Sequence, residues 1–390
     1  MGGSSILMGS ICNFFSPGKI ILGFGAARQV GVEARLLGRN RALVVTRPGR
    51  AKAGWVAGIE ESLIDAKIQV GVFDKVELST PARVIDECAK FAREGGYDLI
   101  VGLGGGSTLD TAKGAAMMAV NKGKVLDYVG VDVVPNKGLP LILLPTTWSG
   151  SEVSPGSGIT DETDNTIRGV GDTSADVVIA DPLFTISSPS AVIADTGIDA
   201  LVQCIEPYVS VRATPFSDIL AIEAVRLISE NLPLTFAKGD NKEARFNMSL
   251  ASILAGLAFS SGGLGAVHGL AFVLQTEFHL GHGRACSILL PYVMEYNMMG
   301  NFAKYGQIAK AMGEKIEGLS DYTAAEKSVS AVKRLLEMVN ISIRLTDYGI
   351  SRDELPKLIK GAMKYTKSLA ANPRDLNEED VKGIFLKALE

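Results

Sequence analysis

The chain has 390 residues, 47% of them apolar and 21% charged, with a net charge of −4. That length holds two domains with full cores, and the balance excludes a general nucleic-acid binder, since there is no Lys/Arg stripe interleaved with aromatics. No apolar run reaches the roughly 18–20 residues of a membrane span. The opening "MGGSSILMGSICNFF" lacks a basic n-region, so no signal peptide is expected, and Ile6 stands where N-myristoylation after Gly2 would need Ser or Thr. Cys12, Cys88, Cys204 and Cys286 are far apart and form no C-x-x-C pair, which reads as reduced thiols packed in cores and a cytoplasmic protein.

Along the chain, "KIILGFG" (19–25), "RALVVT" (41–46), "IQVGVFD" (68–74), "YDLIVGLGGG" (97–106) and "LPLILLPTT" (139–147) read as strands. Helical spacing fills the gaps at 55–66, 81–96 and 107–121. Strand and helix in turn predict a mostly parallel, Rossmann-like α/β sheet covered on both faces. After "VVIADPLF" (177–184) the β-rich runs give way to helical spacing. We therefore expect an α/β dinucleotide-binding domain over 1–185 and an all-α domain over 186–390.

"GLGGGSTLDTAKGAA" (102–116) joins a strand to a helix through glycines. Ser107 as N-cap with Asp110 three residues on predicts a capping box. Free N–H groups at such a helix start form an anion site, and glycine lets a diphosphate approach; a tight turn without a ligand fits the same residues. No G-K-[ST] follows, so it is no Walker loop. It is no standard dinucleotide fingerprint either, because a candidate nucleotide-reading strand precedes it.

The helical half holds all three histidines, His268, His279 and His282. Asp199 and Gln203 are four residues apart and share a helical face. His282 lies among glycines in an expected loop. Asp and His with open coordination positions suit a catalytic divalent metal, while buried structural histidines suit the same pattern.

Taken together these segments resemble the iron-containing (group III) alcohol dehydrogenase family of the dehydroquinate-synthase-like fold. "GGGSTLDTAK" is similar to its diphosphate motif, "LPLILLPTTWSGSEVSPGSGITDE" to its P-T-T…G-S-E-V…I-T-D segment, "GIDALVQCIEPYVS" to its D-A-L-x-H-x-x-E, and "GAVHGLAFVLQTEFHLGHGRACSILLP" to its H-G-L-A-H…H-G…I-L-L-P. The resemblance covers nearly the whole chain. It implies a cofactor and metal meeting in an interdomain cleft. Gly105, Gly106 and Ser107 would hold the diphosphate, and Asp110, Thr146 and Thr147 would contact the ribose and nicotinamide side. Asp199, Gln203, His268 and His282 would hold Fe²⁺ or Zn²⁺.

The chain departs from the family at four places. Gln203 replaces a histidine ligand, and an amide oxygen is the poorer donor; Asp199, His268 and His282 would still form a trio. Phe272 replaces the second histidine of H-G-L-A-H, which leaves proton delivery to water or the ribose hydroxyl. Arg47 stands where NAD-using members have Asp, which slightly favours NADP over NAD, with Arg50 and Lys52 as helpers; a solvated arginine fits equally. The loop with Trp148 is one residue shorter, which would reshape the substrate pocket, and Arg284, either a surface residue or facing the cleft, would suit an anionic substrate. The reading is reversible hydride transfer between NAD(P)(H) and a small alcohol or aldehyde, in a homo-oligomer. A dehydroquinate-synthase-like lyase and a non-catalytic dinucleotide-binding relative are the alternatives.

Overall fold

A computed structural model describes residues 11–49 and 54–390. Arg50, Lys52 and the residues weighed for N-myristoylation lie outside the described residues. The chain forms two compact units, one over Phe15–Ser188 and one that joins residues 11–14 to Pro189–Glu390. Residues 11–14 thus belong with the helices and not with the α/β unit, where the sequence had suggested; Phe14 packs on Phe216 with ring centroids 5.2 Å apart.

In the first unit, strands β1 (Lys19–Leu22), β2 (Arg41–Val45), β3 (Gln69–Phe73), β4 (Leu99–Gly104), β5 (Leu141–Pro145) and β8 (Val177–Ala180) build one sheet in the order β1-β8-β5-β4-β2-β3. Every pairing in it is parallel. Helices α1 (Val30–Leu36), α2 (Trp55–Asp65), α3 (Ala82–Glu94) and α4 (Gly106–Met118) join the strands, and the short α5 (Leu183–Ile186) follows the last of them. Central strands β4 and β5 are buried along their whole length, as a doubly covered parallel sheet requires. Gly102 is fixed by packing: a Cβ there would lie 2.8 Å from both Ala112 Cβ and Leu143 Cδ2, so only glycine lets α4 settle against β4.

A separate antiparallel hairpin, β6 (Ser157–Asp161) and β7 (Thr166–Val170), was not expected. Its exposed strand positions are Gly158 and Gly169, and its turn is held by Thr163, whose N–H and hydroxyl both donate to Asp161 Oδ1.

The second unit holds α6 (Ser190–Val209), α7 (Pro215–Ala237), α8 (Lys242–Gly262), α9 (Ala266–Phe278), α10 (His282–Asn297), α11 (Phe302–Ala311), α12 (Asp321–Met338), α13 (Leu355–Ala362), α14 (Thr366–Leu369) and α15 (Glu378–Leu389). Helix α6 is buried almost all round from Ile193 onward, which marks it as the core helix of this unit. Among the described residues no single helix is long and apolar enough to cross a membrane.

Candidate active site

The glycine run leaves β4 and opens α4 at the carboxyl ends of the parallel strands, where the order switches between β2 and β4. Open α/β sheets bind ligands at such a switch. The helix begins at Gly106 with Gly105 as its cap and no side-chain cap bond, so the expected Ser107 capping box does not form. Ser107 Oγ accepts from Ser79 N–H at 3.1 Å. Asp110 turns to the loop after β5: Ser151 Oγ–H donates to its Oδ1 at 2.5 Å and Gly158 N–H to its Oδ2 at 3.2 Å. A Cβ on Gly105 would meet Thr147 Oγ1 at 2.8 Å, which packs the glycine turn against the residue following Thr146. Thr146 N–H donates to Gly104 O at 2.9 Å. Its Oγ1 and that of Thr108 are buried without a hydrogen-bond partner among the described residues. Arg47 is exposed just past β2, where Thr46 ties the strand to β4 through Leu103 O at 2.9 Å.

Lys113 is fully buried and locks the same loop. Its ammonium donates to Ser151 O at 2.8 Å, Ser154 Oγ at 3.0 Å and Gly156 O at 2.5 Å, with Asp110 Oδ1 3.8 Å away. Burial pushes the Lys113 pKa down and that of Asp110 up, and their mutual attraction opposes both shifts. Trp148 is buried.

The second cluster lies within the helical unit. Asp199, Gln203 and Glu206 fall at i, i+4 and i+7 of α6, on one face. His268 comes from the first turn of α9. His282 is the first residue of α10, in a helix where a loop was expected. Asp199 Oδ1 lies 3.6 Å from His282 Nε2 and 3.9 Å from His268 Nε2. Asp199 Oδ1 and His268 Nε2 are buried with no hydrogen-bond partner among the described residues. Native proteins rarely leave buried polar atoms this way outside functional sites.

Neighbouring groups fix the donor atoms. His268 Nδ1 meets Glu206 Oε2 at 2.5 Å, and Glu206 Oε1 accepts Val267 N–H at 2.6 Å. His282 Nδ1 meets Gln275 Oε1 at 3.0 Å. Each ring therefore carries its proton on Nδ1 and turns the Nε2 lone pair to Asp199. Burial works against a proton on His268, but the Glu206 and Asp199 carboxylates outweigh it and raise its pKa; burial lowers that of His282. A negative field that would hold a proton suits a divalent cation equally well. The donor set fits a metal.

Gln203 meets Asp199 through its amide nitrogen, 3.1 Å from Oδ2, so in this geometry it steadies the carboxylate. The atom found beside the trio is Cys286 Sγ, 3.9 Å from His282 Nε2 and within 4.8 Å of each of the other ligand atoms. Phe272 stacks on the His282 ring at 5.8 Å and packs at a tilt of 48° on Tyr365 at 4.7 Å, an apolar cover for the imidazoles. Arg284 is committed elsewhere: its Nε donates to Asp195 Oδ1 at 2.5 Å and its Nη1 to Tyr348 Oη at 3.1 Å. Both contacts bind it within the helical unit, and its side chain is about one-fifth exposed. His279 is exposed and ends α9 in a left-handed conformation, φ 56°.

Sequence reasoning missed Glu206, Gln275 and Cys286. Helical spacing held the signal for two of them, at seven residues from Asp199 and four from His282.

Comparison with known proteins decides what class of site this is. The sequence profile of iron-containing alcohol dehydrogenases matches residues 17–182, and that of the C-terminal part of the Fe-containing alcohol dehydrogenase family matches 193–389. The chain belongs to the iron-containing alcohol dehydrogenase family. It is 39% identical over 380 residues to long-chain-alcohol dehydrogenase 1 of Geobacillus thermodenitrificans, covering 96% of each chain. It is 38% identical to 1,3-propanediol dehydrogenase of Klebsiella pneumoniae, again over 96% of each. The solved structure of a 1,3-propanediol oxidoreductase superposes with a TM-score of 0.95 at 35% identity, over 97% of this chain and 100% of that one. Sulfoacetaldehyde reductase from Bifidobacterium kashiwanohense, solved with NAD⁺, gives 0.88 at 27% identity, over 98% and 99%. This iron-containing alcohol dehydrogenase is accordingly an oxidoreductase of a family that uses NAD(H) and a metal, and the lyase and non-catalytic alternatives are not favoured.

Proposed function

We propose that this alcohol dehydrogenase interconverts small neutral alcohols and aldehydes, with its metal held by Asp199, His268 and His282 and with NADP(H) slightly preferred over NAD(H). One observation carries the reading: three donor atoms from three helices converge, two of them buried and unpartnered. When bound, the metal supplies Lewis-acid polarisation of the carbonyl oxygen, and the nicotinamide supplies or takes the hydride. The chain's own residues prepare for this. Glu206 and Gln275 hold the imidazole tautomers, Gln203 steadies Asp199, and Phe272 keeps water from the ring faces. Phe272 carries no proton, so proton exchange falls to water or a ribose hydroxyl.

For the cofactor, the N–H groups of Gly105, Gly106 and Ser107 at the α4 start would receive the diphosphate. Thr146 and Thr147 would line the ribose and nicotinamide side. Asp110 would act there by holding the loop through Ser151 and Gly158. Arg47 would pair with a 2′-phosphate. An uncharged substrate suits the pairing of Arg284 with Asp195 and the names of two of the relatives above, while sulfoacetaldehyde reductase is named for an anionic one, so the test includes anionic aldehydes. A homo-oligomer in the cytoplasm completes the proposal; its four free cysteines suit a reducing compartment.

The test is elemental analysis of the purified protein together with NADPH and NADH oxidation against short neutral and anionic aldehydes. Near-stoichiometric iron or zinc with aldehyde-dependent turnover is expected. Absence of metal, with no activity after adding Fe²⁺, Zn²⁺ or Mn²⁺, would overturn the reading.

A further inference from the structure

We infer that the Cys286 thiolate is a ligand of this metal site, taking the place that Gln203 is poorly built to fill and turning the site toward zinc. The inference rests on the metal reading above. Cys286 is fully buried one helical turn after His282 on α10, so both side chains project from one face. Its Sγ lies 3.9 Å from His282 Nε2, and the four atoms of Asp199, His268, His282 and Cys286 all lie within 4.8 Å of one another. Tetrahedral zinc, with bonds of about 2.0–2.1 Å to nitrogen and 2.3 Å to sulfur, puts its ligand atoms roughly 3.3–3.6 Å apart. Three of the six separations, 3.6, 3.9 and 3.9 Å, lie a few tenths beyond those edges, and the other three fall within 4.8 Å, so the ligands draw inward when the ion binds. Asp199 Oδ1 and His268 Nε2 are nine-tenths or more buried, without a hydrogen-bond partner among the described residues, and 3.9 Å apart.

The donor chemistry agrees. With its amide nitrogen on Asp199 Oδ2, Gln203 offers that carboxylate a donor. A thiolate is a strong, soft ligand that selects Zn²⁺ over harder ions. Ligation replaces the S–H bond by an S–metal bond, and the proton passes to solvent, with no change of oxidation state. The other buried cysteines, Cys88 and Cys204, are outside the cluster.

The experiment is Co²⁺ loading of the full-length, metal-stripped protein, read by absorption and by Zn²⁺ competition. The unaltered chain is expected to show a near-ultraviolet sulfur-to-cobalt charge-transfer band. Cys286→Ser should lose that band, keep the visible d–d bands and bind Zn²⁺ at least about tenfold more weakly, the loss seen even for residues that merely support a metal site. Cys204→Ser should keep the band, which also controls for folding. A Cys286→Ala variant gives a second route should the serine variant misfold. Equal charge-transfer absorption with and without Cys286, or none in the unaltered chain, would overturn the ligand assignment. If aldehyde turnover persisted in that case, the dehydrogenase reading would stand. A cysteine-dependent band in a protein without turnover would support the Cys286 ligand and overturn the dehydrogenase reading instead.

Discussion

Glu206 Oε2 stands 2.5 Å from His268 Nδ1, while the other oxygen of the same carboxylate caps the start of α9 through Val267 N–H. One side chain thus fixes both where the histidine's helix begins and which ring nitrogen faces Asp199. Glu206→Gln removes the charge that makes the ring a better donor while keeping the volume. Metal affinity should fall about ten- to a hundredfold, measured by competition with a chromophoric chelator, with the far-ultraviolet dichroism unchanged. Unaltered affinity would show that Glu206 serves only to anchor α9.

Lys113 sets the shape of the loop beside the glycine turn. Its three acceptors, Ser151 O, Ser154 Oγ and Gly156 O, all lie in the segment that Asp110 also holds. Lys113→Met leaves these oxygens and a buried carboxylate without their cation. Removal of one member of a buried ionic pair costs about 3–5 kcal/mol, so a fall of that order is expected in denaturant unfolding of the first unit. Adding Asp110→Asn should recover part of it, because the stranded charge goes too. A loss below about 1 kcal/mol would mean that water enters and replaces the lysine.

The parts of this molecule that were legible from its residues are those where one residue type has few uses. The strand–glycine–helix passage at 99–118 needs Gly102 for packing, and Asp199, His268 and His282 are rare polar residues in an apolar half. The rest depended on facts that spacing alone does not carry. Ser107 looked like a cap, yet the helix starts one residue earlier and its hydroxyl serves Ser79. The hairpin at 157–170 hides because its alternation is short and glycines stand at its exposed positions. At Gln203 sequence shows the position, and the contact of its amide nitrogen with Asp199 Oδ2 is a matter of orientation that spacing does not carry. Cys286 looked like a core thiol, since a buried ligand and a buried packing cysteine differ only in what surrounds them.

Acid stability of the helical unit should draw on Glu295, in α10. Burial pushes its pKa up, but Lys333 at 2.6 Å and Lys387 at 3.2 Å outweigh it and leave the pKa below its ordinary 4.5. A carboxylate depressed on folding stabilises above its unfolded pKa, and that contribution disappears as pH falls through the folded value. The group is partly exposed, so the contribution is about 1 kcal/mol. Glu295→Gln should therefore lower stability at pH 7 by about that much and converge with the parent as pH falls through the folded-state pKa, below the ordinary 4.5, followed by thermal melts across pH. Parallel melting curves for the two proteins over that range would sink the assignment.

Arg47 is the discriminating residue for the cofactor because it is exposed at the carboxyl end of β2, beside the switch in strand order. A hydrogen bond to a charged partner contributes about 1.5–3 kcal/mol, which is about ten- to a hundredfold in an equilibrium constant. Arg47→Ala should therefore lower kcat/KM for NADPH by about tenfold or more and change that for NADH by less than about twofold. Raising the salt from about 0.05 to 0.5 M should narrow the preference of the unaltered enzyme, since an exposed charge pair is screened over about 10 Å or less, and should leave the variant flat. Equal losses for both cofactors would place Arg47 in the structure of the β2 turn, and no loss for either would make it a solvated surface residue and the enzyme indifferent to the 2′-phosphate.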